Sequence, residues 1–111
     1  MDMQTRSEGA TTVMTVSGRL DAVTVPEFEK KVRGLVDDGS LRLVIDFEKL
    51  DYISSAGLRG LLVTAKLLKS KDGKVGFAHV TGTVKEVFDI SGFCSLFAID
   101  DSVEAAIAKQ S

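Results

Sequence analysis

The sequence predicts an α/β fold: one domain over residues 1–111, with a mixed sheet of four to five strands and about four helices. Three observations predict it. After a hairpin pattern, segments of helical period alternate with short strand-like runs, from helix to strand through to a final helix. Such alternation favours packed layers with at least some parallel pairing. Leu43-Val44-Ile45 is continuously apolar, as in a strand covered on both faces. The chain has 111 residues, 44% of them hydrophobic, which suits one modest core and is too apolar for disorder.

Each element has a local cause. Residues 1–6 partly alternate apolar and polar side chains, Glu8-Gly9-Ala10 reads as a turn, and Thr12 to Ser17 is a second strand. Gly18-Arg19-Leu20-Asp21 reads as a loop. Thr24 and Glu27 have capping-box spacing with Pro26 in the first turn, then Phe28, Val32, Leu35 and Val36 recur at helical spacing up to Gly39. The central strand ends at Asp46. The next helix runs from about Ser55 to Lys71 on a stripe of Leu58, Leu61, Leu62, Ala65 and Leu68, with Gly73 as its C-cap. Val75 to Val80 is a strand. Thr83 and Glu86 form a second capping box before Val84, Val87 and Phe88, and Gly92 lies past that helix. Leu96 to Ile99 is a short strand. Asp101 and Glu104 stand at capping-box spacing before a last helix carrying Val103, Ala106 and Ile107.

Composition excludes several functions. The net charge is -2 with no clustered basic run, so no nucleic-acid footprint is present. No apolar run reaches the ~18 residues of a membrane span, and Met1 to Arg6 lacks a signal-peptide core, so no membrane insertion and a cytoplasmic location are expected. Cys94 is alone and reads as a small buried hydrophobe. His79, the one histidine, falls in an apolar strand pattern and reads as structural. No nucleophile elbow, phosphate loop or dinucleotide fingerprint occurs. Asp46, Glu48 and Asp51 cluster near one loop, a pattern more often solvated surface than a metal site. No catalytic residue, metal or cofactor is therefore assigned, and the chain is not expected to be an enzyme.

The informative stretch is Leu50-Asp51-Tyr52-Ile53-Ser54-Ser55-Ala56-Gly57-Leu58. Two hydroxyls stand at a helix start, where backbone N–H groups lack helical partners. A serine there either caps or carries a phosphate, since free N–H groups and the helix dipole favour negative charge. Gly57 and Gly60 in the first turns cost ~1 kcal/mol each against alanine. They allow a close approach, by the sheet or by something else. Gly60, Val63, Thr64 and Leu67 form a second face, flanked by Arg59 and Lys66, which another helix or a partner must cover.

These residues resemble STAS domains, and among them the small stand-alone anti-sigma factor antagonists. Gly18-Arg19-Leu20-Asp21, Leu43-Val44-Ile45-Asp46, Tyr52-Ile53-Ser54-Ser55-Ala56-Gly57-Leu58 and Phe88-Asp89-Ile90-Ser91-Gly92-Phe93 resemble four family elements in order. The resemblance implies the STAS fold and a phosphoacceptor at Ser55, two places before Gly57, with Ser54 as the alternate. Ser54 stands where the family often has Asp, and Ala56 where it often has a second hydroxyl. It further implies a partner surface of Asp21, Ser54, Ser55, Ala56, Gly57, Arg59 and Val63. The implied partner is an anti-sigma factor and serine kinase of the histidine-kinase-like ATPase type, with a separate phosphatase resetting the switch. Two other functions are compatible with the residues: a STAS subunit of a lipid- or solute-transport ATPase assembly, and a nucleotide-binding module using the Asp21 and Ser55 loops.

Overall fold

The N-terminal alternation becomes a hairpin. In the computed structural model, which describes residues 1–110, β1 (Asp2–Glu8) and β2 (Thr11–Leu20) pair antiparallel across a turn at Gly9 and Ala10. There follow α1 (Val25–Asp37), β3 (Arg42–Asp46), β4 (Leu50–Ile53), α2 (Ser55–Ser70), β5 (Lys74–Ala78), α3 (Gly82–Ser91), α4 (Phe93–Leu96), β6 (Ala98–Asp100) and α5 (Val103–Gln110). The strand order is β1-β2-β3-β5-β6, with β4 paired to the far end of β2. Every pairing beyond the hairpin is parallel. The carboxyl ends of β2 to β6 therefore lie along one edge, because parallel neighbours must be joined by crossovers, here helical.

Strand alternation divides the core between two faces. Met14, Val16, Leu43, Ile45 and Phe77 pack with side chains of α1, α2 and α3, including Phe28, Val32, Leu61, Leu68 and Phe88. Val13, Val44 and Ala78 face Val103 and Ala106 of α5. The apolar run of β3 is thus covered on both sides. Phe47 and Phe77 stack at 5.6 Å, and Phe88 meets both edge-on at 6.2 and 5.9 Å, which holds α3 over the ends of β3 and β5.

The mixed α/β architecture agrees with the sequence, while several local expectations need correction. Among the described residues six strands and five helices form, because β4 and the one-turn α4 are added. Gly18, Arg19 and Leu20 are strand and not loop: β2 continues past an irregularity at Gly18 to pair with Leu50, Tyr52 and Ile53. None of the three capping boxes closes. Thr24 has helical backbone and does not cap, since its Oγ1 donates to Arg19 O at 2.9 Å and accepts from Asp21 N at 3.0 Å. Helix α3 starts at Gly82, so Thr83 lies inside it and its hydroxyl donates to Asp51 O at 3.3 Å. Ser102, not Asp101, accepts the Ala105 N–H at 3.1 Å. Leu96 closes α4 instead of opening β6, because Phe93 and Phe97 both turn into the ring cluster. Asp72 takes the left-handed conformation beyond α2, whereas Gly73 makes room for the Leu41 carbonyl.

Cys94 is exposed, not buried. Its thiol donates to Asp89 Oδ1 at 2.9 Å, a bond to a carboxylate that, with some burial, pushes the thiol pKa up. His79 lies just past β5 in left-handed backbone, outside the strand that the apolar pattern predicts for it. Among the described residues no helix is long and apolar enough to cross a membrane.

Candidate functional site

Two turns meet at the carboxyl edge because β2 and β4 pair. Leu20 opposes Ile53 and Arg19 opposes Tyr52. The chain then leaves β2 through Asp21 and leaves β4 through Ser54. Leu20 O accepts the Ser54 N–H at 3.0 Å, joining the turns directly. Gly57 sits against the same carbonyl. A Cβ there would collide with Leu20 O and with the Ile53 side chain, so glycine permits α2 to start this close to the sheet.

Ser54 is the helix cap. Its backbone is extended and its Oγ accepts the Gly57 N–H at 3.2 Å. Ser55 is the first residue of α2 and is exposed. Among the described residues its hydroxyl makes no hydrogen bond. The Ser55 and Ala56 N–H groups lie in the first turn, where no helical carbonyl can reach them. An anion on Ser55 Oγ would thus sit beside unpaired donors at the positive end of a 16-residue helix.

Asp21 shapes the neighbouring turn. Its Oδ1 accepts from Val23 N at 3.0 Å and Thr24 N at 3.2 Å, and its Oδ2 lies 3.6 Å from Arg19 Nε. The Thr24 N–H is the main cause that holds the Asp21 carboxyl below its ordinary pKa, with Val23 N–H, the Thr24 hydroxyl and Arg19 adding to it. The carboxylate braces a turn whose tip carries Val23, 86% exposed. Arg19 also lies over the Tyr52 ring, 4.3 Å from its centroid.

The structure brings Asp21, Ser54, Ser55, Ala56 and Gly57 together and sets Arg59 and Val63 farther along α2. Arg59 is exposed, Val63, Ala56, Ser54 and Asp21 are half-buried, and Gly57 is buried. The second face of α2 is partly covered by α1. Thr64 is buried, and the Val25 side chain occupies the space a side chain at Gly60 would need, with Phe28 at ordinary contact distance. Arg19, Val23 and Tyr52 also lie at these turns. Arg19 and Tyr52 fall inside quoted sequence patterns, whereas nothing in the sequence marks Val23.

Farther along the same edge, Asp46 and Glu48 do meet, but their third member is His79 and not Asp51. His79 Nδ1 lies 2.8 Å from Asp46 Oδ1 and 3.5 Å from Glu48 Oε2. The Asp46 hydrogen bond chiefly raises the His79 pKa, partly opposed by burial and aided by the charges of Asp46, Glu48 and Glu104.

Comparison with known proteins gives this edge a context. The family model described as STAS domain matches residues 2–106. A Bordetella bronchiseptica protein assigned as an anti-sigma factor antagonist, BtrV, is 40% identical over 96 residues, 86% of this chain and 83% of that one. The anti-sigma-B factor antagonist of Staphylococcus aureus is 26% identical over 104 residues, 94% and 96% of the two chains. Among solved structures, the Bacillus cell fate determinant SpoIIAA in its phosphorylated form superposes with a TM-score of 0.75 at 24% identity, over 97% of this chain and 98% of that chain.

Proposed function

The chain belongs to the STAS domain family, and from that premise we propose that it is an anti-sigma factor antagonist switched by phosphorylation of Ser55. One observation carries the reading. Ser54 does the capping, so the Ser55 hydroxyl stands exposed at the start of α2 with no structural duty. The names of the relatives support the antagonist role, and the phosphorylated Bacillus protein supports the switch.

In this reading the unphosphorylated chain binds an anti-sigma factor that is also a serine kinase of the histidine-kinase-like ATPase type. The partner meets Asp21, Ser54, Ser55, Ala56, Arg59 and the outer part of Val63, while Gly57 sets how closely α2 approaches the sheet. ATP and Mg²⁺ belong to the kinase, and a separate phosphatase resets Ser55. The chain acts by binding, in the cytoplasm, and no reaction is assigned to its own residues. A phosphate adds about -1.5 to -2 charges and three acceptor oxygens. The free helix N-terminus accommodates them. In a close interface beside the Asp21 carboxylate they meet crowding and repulsion. A loss of ~3 kcal/mol weakens binding more than a hundredfold.

The test is to incubate the chain with its kinase and ATP-Mg²⁺, map the phosphate by mass spectrometry, and measure partner affinity. Phosphate is expected on Ser55 and absent from Ser55→Ala, which keeps binding. Ser55→Glu is expected to bind about a hundredfold more weakly, in line with that energy. Phosphate found only on Ser54, or equal affinity of wild type and Ser55→Glu, would overturn the proposal.

A further inference from the structure

The parallel sheet brings three donor side chains from two separate segments to one point. Asp46 ends β3, Glu48 follows two residues later, and His79 follows the last residue of β5. His79 Nδ1, one Asp46 oxygen and one Glu48 oxygen all lie within 4.8 Å of one another. Two of these separations are short, 2.8 Å to Asp46 Oδ1 and 3.5 Å to Glu48 Oε2.

The group is held from several directions. Asp46 Oδ1 accepts the Glu48 N–H at 3.0 Å, and among the described residues Asp46 Oδ2 accepts no hydrogen bond. The His79 N–H donates to Asp100 O at 3.1 Å, fixing the backbone under the ring. The Asp46 side chain is only 10% exposed, while that of Glu48 is 63% exposed and leaves a path from solvent. Glu104, in the first turn of α5, adds a further negative charge close enough to act on the imidazole.

We propose that Asp46, Glu48 and His79 bind one divalent transition-metal ion of the zinc class, clipping the end of β3 to the end of β5. Nitrogen and carboxylate ligands stand ~2.0–2.2 Å from such an ion. Two ligands on one ion are then ~3.0 Å apart at octahedral angles and ~3.4 Å apart at tetrahedral ones, by trigonometry on those bond lengths. The observed 2.8 and 3.5 Å bracket that range, one just below it and one just above. One imidazole with two carboxylates suits zinc, nickel or cobalt, whereas magnesium and calcium favour oxygen alone. Three protein ligands leave positions for water. Asp51, which the sequence groups with Asp46 and Glu48, lies within β4 and is not among the converging donors.

The test titrates Zn²⁺ into the chelator-treated full chain, prepared without a histidine tag, by calorimetry and by thermal unfolding. One ion per chain and a rise in melting temperature are expected, with no comparable rise for Mg²⁺ or Ca²⁺. Glu48→Gln alters a mostly exposed side chain and should fold. It and His79→Gln should each weaken Zn²⁺ binding by about tenfold or more, at least the loss that follows removal of a mere supporting group. The absence of saturable Zn²⁺ binding would overturn the proposal. So would wild-type affinity in both folded variants, or equal stabilisation by Mg²⁺.

Discussion

Ser54 and Ser55 have identical side chains and opposite duties because α2 begins between them. The Ser54 N–H is tied to Leu20 O, which keeps Ser54 extended, and its Oγ then reaches the Gly57 N–H. Ser55 is already helical and points its hydroxyl at no acceptor among the described residues. Ser54→Ala should therefore lower stability by ~0.5–2 kcal/mol. Ser55→Ala should stay within about 0.5 kcal/mol of wild type. Urea unfolding of the two variants checks this, and a reversed order would mean that Ser55 is the cap. Asp21 makes a second residue-scale prediction. Its folded pKa is lowered, first by the Thr24 N–H. Its contribution is therefore present above the unfolded pKa, ~3.9, and is lost as pH falls through the folded pKa. The amide signals of Val23 and Thr24 should shift together in that acid range. Asp21→Asn should abolish the shift, and an unchanged acid titration in that variant would assign it to another group. The sequence pattern showed two hydroxyls at a helix start. It did not show which one caps, because that depends on a hydrogen bond to a strand more than thirty residues earlier.

Helix α2 is the element on which the site rests, and its two glycines serve packing. Gly57 meets the Leu20 backbone, while Gly60 leaves room for Val25 of α1. Gly60→Ala should destabilise by ~1–3 kcal/mol, as overpacking does, despite alanine's better helix propensity. Val25→Ala should be costly alone yet recover part of the loss in the double variant, giving a coupling of roughly 0.5–3 kcal/mol. Strictly additive melting shifts would show that α1 does not occupy the Gly60 space. The periodicity of α2 located the helix well, and the face of Gly60 and Thr64 stood out. What covers that face could not be read from one helix, since it depends on how α1 crosses it. Strand β4 lacks a local signature for a related reason. Leu50-Asp51-Tyr52-Ile53 has apolar side chains only near its ends, and four residues are too few for a period of two to register.

Across the whole molecule, parallel pairing gathers the carboxyl ends of five strands on one edge, and that edge carries both the Ser55 turn and the Asp46–Glu48–His79 group. Val23, in the Asp21 turn, and Arg59, one turn into α2, are both exposed. Val23→Asp and Arg59→Glu should leave the melting temperature near that of wild type. Each should weaken partner binding, by ~1–3 kcal/mol if it lies near the interface centre. Calorimetry and thermal unfolding check this, and full affinity in both variants would move the interface off this edge. By itself, the sequence determined the α/β class, the doubly covered β3, the hairpin and the placing of two serines at a helix start. Those features rest on local periodicity and on residue chemistry within a few positions. Only the tertiary structure decided that β2 extends to meet β4, that Ser54 caps and Ser55 does not, that α1 covers Gly60, and that His79 replaces Asp51 beside Asp46. Each of these depends on contacts between residues far apart in the chain, set by strand register and helix crossing, which no local pattern encodes.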